Sequence, residues 1–275
     1  MKFYRYRPTL YSHLPALSLI WSLVVASGTG LLISPASLAQ EDRFESGLAA
    51  KERGHYATAI KAWLPIAEAG NPEAQNNLGF MYEDGLGVRQ NYLLAMNWYR
   101  QAADSGLAQA QHNIGMLYHH GYGVAQNLPE AFRWFTKAAA QELAESEYML
   151  ALAMQKGDGT TLDYGGARVN FLSAARKGYA PAQLMYAFML QAGEGGEPDS
   201  YRALVWATLA QAQGMDSAID IAVLAELQLD EREIEAAAAS VSFFFSRLLR
   251  VRGRVRVRVR ASSARCFIRS GRGLG

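Results

Sequence analysis

Three histidines and one pair of carboxylates are the side chains best suited to chemistry in this chain of 275 residues. His112, His119 and His120 lie close enough in sequence to share one face of a single helix. Imidazoles gathered this way can hold a zinc ion or pass a proton. No cysteine and no H-E-x-x-H spacing joins them, so they read better as solvated groove or loop residues. His13 and His55 stand apart. Glu83 and Asp84 are adjacent, and neighbours on a helix point apart, so they make a poor acid–base pair and read as a solvated helix end. Neither S-x-x-K nor G-x-S-x-G occurs, which leaves serine acylation without a motif. The G-x-G at Gly85 and Gly87 follows no strand, so it is turn chemistry and not a phosphate cradle. The expectation is no catalytic residue, no metal and no cofactor.

The elements that carry these residues recur. Gly79, Tyr82, Gly85, Gly87, Val88, Asn91, Ala95, Trp98, Ala102 and Ala103 return 36 positions later as Gly115, Tyr118, Gly121, Gly123, Val124, Asn127, Ala131, Trp134, Ala138 and Ala139. A fixed period of this size marks a solenoid, in which each unit buries its apolar face only by stacking on its neighbours. Within a unit, Leu78 and Tyr82 share one face of a first helix, glycines turn the chain, and Ala95, Trp98, Tyr99, Ala102 and Ala103 stripe a second helix. The units read as 74–109, 110–145, 146–181 and 182–217. A shortened hairpin at 44–73, turned by Gly54, precedes them, and a helical cap with a polar face follows at 218–240. The second unit has Glu142 where the first has Gly106. Trp63, Trp98, Trp134 and Trp206 are expected in the core of the second helices, not as a sugar platform.

Both ends differ from this body. Lys2, Arg5 and Arg7, an apolar stretch over about 14–33, and Ser37-Leu38-Ala39 before Gln40 spell an export signal, expected to be cleaved and to place the protein in the periplasm or outside the cell. An uncleaved anchor fits less well, because Gly28, Gly30 and nearby small polar residues interrupt the apolar run. Residues 241–275 contain ten arginines, no lysine and no acid. This segment fits a basic tail for nucleic acid or an anionic membrane surface, an amphipathic strand, or missense text from a frameshift in GC-rich coding sequence. The last is favoured by arginine use without lysine, and the tail is expected to be disordered. Of 27 basic residues, three lie in the leader and ten in the tail, so residues 40–240 hold 14 against all 25 acids, a net charge of −11. An acidic body excludes nucleic-acid binding by that part. The lone Cys266 excludes a disulfide framework.

Ala74, Leu78-Gly79, Tyr82, Gly85-Leu86-Gly87-Val88, Ala95, Trp98-Tyr99 and Ala102-Ala103 resemble the Sel1-like repeat, a relative of the tetratricopeptide repeat. The resemblance implies an all-α, right-handed solenoid of antiparallel helix pairs whose first helices line a concave groove. It also implies an adaptor that binds a sensor, envelope or host protein, without catalysis. Some exported relatives rich in cysteine pairs are associated with penicillin binding or β-lactamase activity, which makes a cell-wall or β-lactam hydrolase the alternative reading, and this chain lacks those cysteines. Transferred residue by residue, the groove positions are Asn76, Phe80 and Glu83, then His112, Met116 and His119, then Tyr148, Leu152 and Gln155, then Leu184, Phe188 and Gln191. Phe80, Met116, Leu152 and Phe188 are 36 apart and are expected to form an apolar stripe for a peptide or protein partner; packing between neighbouring repeats is the competing reading.

Overall fold

The computed structural model describes residues 35–251, with side chains over 39–244. Most of the expected export signal and the arginine-rich residues 252–275 lie outside this range. Helix α1 (Pro35–Glu52) pairs with α2 (Tyr56–Glu68), α3 (Pro72–Asp84) with α4 (Tyr92–Asp104), and α5 (Ala108–His120) with α6 (Leu128–Ala139). Then α7 (Ala144–Lys156) pairs with α8 (Tyr164–Arg176), and α9 (Ala180–Ala192) with α10 (Ser200–Gln211). Two helices close the array, α11 (Ala218–Glu226) and α12 (Glu231–Val251). From α1 to α11 each helix packs on the next, and α12 packs on α10. The result is an all-α solenoid of helix pairs, with no strand among the described residues. The helix boundaries cross both ends of the segment read as solenoid. Residues 35–39 belong to α1, and α12 continues through 241–251.

The repeat is legible in the way each helix starts and stops. Every first helix from α3 to α9 ends on a left-handed glycine (Gly85, Gly121, Gly157, Gly193), the conformation that returns the chain without a Cβ penalty. Every second helix from α4 to α10 starts at an Asn or Asp whose side chain accepts a backbone N–H three residues on: Asn91, Asn127, Asp163 and Asp199. The second loop glycine holds units together. A Cβ on Gly87 or Gly123 would fall 2.6–2.8 Å from the start of the preceding unit's second helix, at Tyr56 and Tyr92. Gly159 and Gly195 meet Leu128 and Tyr164 in the same way.

The four tryptophans all pack on the core, to different depths. Trp63 is in register with Tyr99, Phe135 and Phe171, and these four are fully buried. Trp98, Trp134 and Trp206 sit one position earlier and are only half-buried. The close helix approach explains the choice of ring: a Cβ at Gly79 or Gly115 would lie 2.6 Å from Tyr99 or Phe135.

A polar series runs through this core. Gln75, Gln111, Glu147 and Gln183 are 36 apart and buried on the first helices. Gln75 Nε2 donates to the Ala67 carbonyl at 2.9 Å and Gln183 Nε2 to Ala175 at 3.2 Å, which ties each first helix to the helix before it. Gln141 donates to Gln111 at 2.9 Å, and Gln213 to Gln183 at 2.7 Å. The third unit substitutes a charged version: Lys177 Nζ lies 2.7 Å from Glu147 Oε1, which also accepts from Ser173. Lys177 also donates to the carbonyl of Glu142, whose φ of 62° is the sole positive value among described non-glycine residues.

Candidate partner-binding wall

The twelve side chains expected to face a groove all lie on α3, α5, α7 and α9, opposite the buried Leu78, Ile114, Leu150 and Tyr186. Contacts join them from one repeat to the next. Asn113 Nδ2 donates to Asn76 Oδ1 at 2.9 Å. His112 Nδ1 lies 2.8 Å from Ser146 Oγ. Gln155 Nε2 donates to Glu194 Oε2 at 2.9 Å. These bridges make a continuous wall out of separate repeats.

The apolar stripe on this wall is graded. Phe80 packs against the first core cluster, with Lys51 Nζ 4.6 Å from its ring centre. Met116 is half-buried, and Leu152, Tyr148 and Leu184 pack against the last cluster. Phe188 is 42% exposed. The stripe is therefore wall and inter-repeat packing at once, and it opens at α9 in the fifth pair.

The titratable groups on this wall are held by neighbours. The Tyr99 hydroxyl donates to Glu83 Oε2 at 2.6 Å, so Glu83 is a half-buried anchor and not the solvated helix end expected. Burial first, and the Glu83 carboxylate second, hold the Tyr99 phenol well above its usual range. His112 packs on Phe135 with ring centres 5.5 Å apart. Burial lowers its pKa to about 4, so the imidazole is neutral at pH 7. That places His112 inside an inter-repeat contact, which corrects its reading as a solvated residue. His119 and His120 meet edge to face at 4.9 Å, and burial, then His120, lower the pKa of His119. The His112–Ser146 pair has the distance of a nucleophile and its base, yet Ser146 is completely buried and the imidazole is a weak base. The pair fastens two repeats. No group of three or more His, Cys, Asp or Glu among the described residues is placed to hold a metal. An open depression of about 440 Å³ is lined by Tyr82, Val88, Arg89, Gln90, Asn91 and Leu94, and of the wall residues it includes none.

Sequence reasoning missed the Gln75 series and the Asn113–Asn76 bridge. The only signal was the 36-residue recurrence of glutamine at positions that look like polar surface.

The fold and the wall define a helical-repeat scaffold. Its repeats match the Sel1 repeat over residues 72–107, 108–143, 144–179 and 180–215, more than half of the chain. The chain belongs to the Sel1 repeat family. Each matched stretch opens on the first residue of a first helix. A Sel1 repeat protein from Oxalobacter formigenes is 25% identical, with a TM-score of 0.61 over 83% of this chain and 98% of its own. The protein c5321, a protective antigen of uropathogenic Escherichia coli with the same repeat fold, is 21% identical, with a TM-score of 0.52 over 82% of this chain and 59% of its own. No curated protein matches the chain in sequence.

Proposed function

We propose that this protein is a non-catalytic scaffold in the bacterial envelope that binds a peptide or protein partner along the wall formed by α3, α5, α7 and α9. Sel1 repeats are in general protein-interaction scaffolds, which supports the class of function. The partner's place rests on one observation. Phe188 stands 42% exposed at the end of a periodic apolar stripe, beside the amide of Gln191 and the Gln155–Glu194 hydrogen bond. A large exposed aromatic with polar edges suits an anchor side chain and the backbone of an extended or helical ligand. The −11 charge of residues 40–240 favours a partner with basic residues near that anchor. The N-terminal export pattern supports the location.

The test is affinity capture from a periplasmic extract by wild type and by Phe188→Asp. A partner retained by wild type and lost by the variant, with unchanged circular dichroism, is the expected outcome. Equal capture by both would move the partner to another surface.

A further inference from the structure

Taking the wall as the partner's seat, the reading on which this step rests, we propose that the wall continues onto α11 and that the partner docks there through a basic amphipathic helix. Leu224 and Leu227 stand 36 residues after Phe188 and Gln191, so α11 adds a fifth step to the stripe. The helix packs on α9 and α10 through Ala218, Ala222 and Ala225. Its other side carries Ile219, Val223, Leu224 and Leu227, which are 43%, 51%, 53% and 79% exposed. One repeat earlier, Gln183 and Ala187 hold the positions of Ile219 and Val223 and are fully buried. Helix α12 packs on α10 and leaves the row on α11 open to water. Ile219, Val223 and Leu227 are four apart and form a ridge about 12 Å long, with Leu224 beside it. Such a ridge fits the groove between side-chain rows of a docking helix.

Charge decides what kind of helix fits. Residues 180–240 hold ten acids and two bases, whereas residues 40–179 hold fifteen and twelve. Eight of the eleven net negative charges therefore sit at this end of the body. Asp216 is exposed just before α11, and Asp220 is exposed four residues before Leu224 and so on the same side as the aliphatics. Asp230, Glu231, Glu233 and Glu235 follow, exposed, as the chain enters α12. Of the two bases, Arg202 is already paired with Asp199 at 3.3 Å. An aliphatic ridge rimmed by carboxylates takes a helix with one apolar face and Lys or Arg along its edges. A second copy would bring the same acids, and nucleic acid or an anionic membrane would be repelled by them. A basic polypeptide is the occupant that this surface favours.

The test is fluorescence anisotropy of a labelled leucine–lysine amphipathic peptide with the full chain, set against the same peptide with glutamate in place of lysine. Wild type is compared with Leu224→Asn/Leu227→Asn and with Asp216→Asn/Asp220→Asn/Glu231→Gln. All five positions face water, so both variants keep the helical circular dichroism of wild type. The expected result is binding of the lysine peptide alone, weakened by salt and about tenfold weaker in each variant. No binding, equal binding of both peptides, or binding that either variant leaves intact overturns the proposal. A dimer in light scattering that Leu224→Asn/Leu227→Asn abolishes assigns the face to a second copy. Binding seen only with serine at Arg252, Arg254, Arg256, Arg258 and Arg260 assigns it to the chain's own arginines, and either result overturns the proposal too. The capture test judges the wall itself. A partner that survives Phe188→Asp sinks the wall, whereas peptide binding that the α11 variants leave intact sinks only its extension.

Discussion

The two sides of the first helices make different use of the same period. On the inward side, Gln75, Gln111, Glu147 and Gln183 are nearly one residue type, and Leu78, Ile114, Leu150 and Tyr186 are all large and buried. On the wall, the positions of Asn76, His112, Tyr148 and Leu184 change chemistry at every step, and the series Glu83, His119, Gln155 and Gln191 runs from carboxylate to imidazole to amide. Packing constrains volume and hydrogen bonding tightly on the first side, where a changed methylene is felt by the next helix. The second side tolerates variety. What recurs builds the solenoid, and what varies along it is free of that packing constraint.

The comparison breaks most visibly on the inward side. Phe135→Ala should cost about 3–5 kcal/mol in urea denaturation, because Gly115 opposite has no side chain to fill the space. Acid should act through His112 next. Its folded pKa of about 4 lies below the unfolded value near 6.5, so the folded state binds fewer protons. The contribution is complete above the unfolded value and is lost as pH falls through the window to about 4, at most about 2–3 kcal/mol for this half-buried ring. Carboxylate titration adds to both chains, so the difference between wild type and His112→Gln in urea midpoint across that window isolates the effect.

The charged and neutral versions of the glutamine series sharpen the contrast. Lys177→Ala leaves the Glu147 carboxylate buried without its ion pair and should cost about 2 kcal/mol. The double change Glu147→Gln/Lys177→Gln rebuilds the pairing seen at Gln111–Gln141 and should recover to within about 1 kcal/mol of wild type. The smallest effect is a gain. Glu142→Gly relieves the positive φ that the other units meet with glycine and should stabilise by about 0.5–1 kcal/mol in thermal melts.

The fold was legible because glycines, caps and alanines repeat at one spacing, and each has a local physical cause. The tryptophan register was not. Trp63 and Trp98 differ by 35 residues, so the shared residue type misleads, while the 36-residue period and the packing against Gly47 and Gly79 both pair Trp63 with Tyr99. The glutamine series was hidden because a polar side chain on a helix reads as surface until its carbonyl partner is known. Of the candidate wall, the positions could be listed by period, but not their roles. Glu83 answers to Tyr99, and His112 to Ser146, across distances in sequence that no local pattern encodes. Phe80 and Phe188 look equivalent in the repeat, yet one packs under Lys51 and the other faces water.

The most direct measurement pairs stability with binding in two variants, Lys177→Ala from the inward side and Phe188→Asp from the wall, each assayed for urea midpoint and for partner capture. The division of labour predicts a crossed result: Lys177→Ala lowers the midpoint and keeps the partner, while Phe188→Asp keeps the midpoint and loses the partner. If both variants lose both properties together, or if Phe188→Asp retains the partner, the two sides of these helices do not divide fold from function.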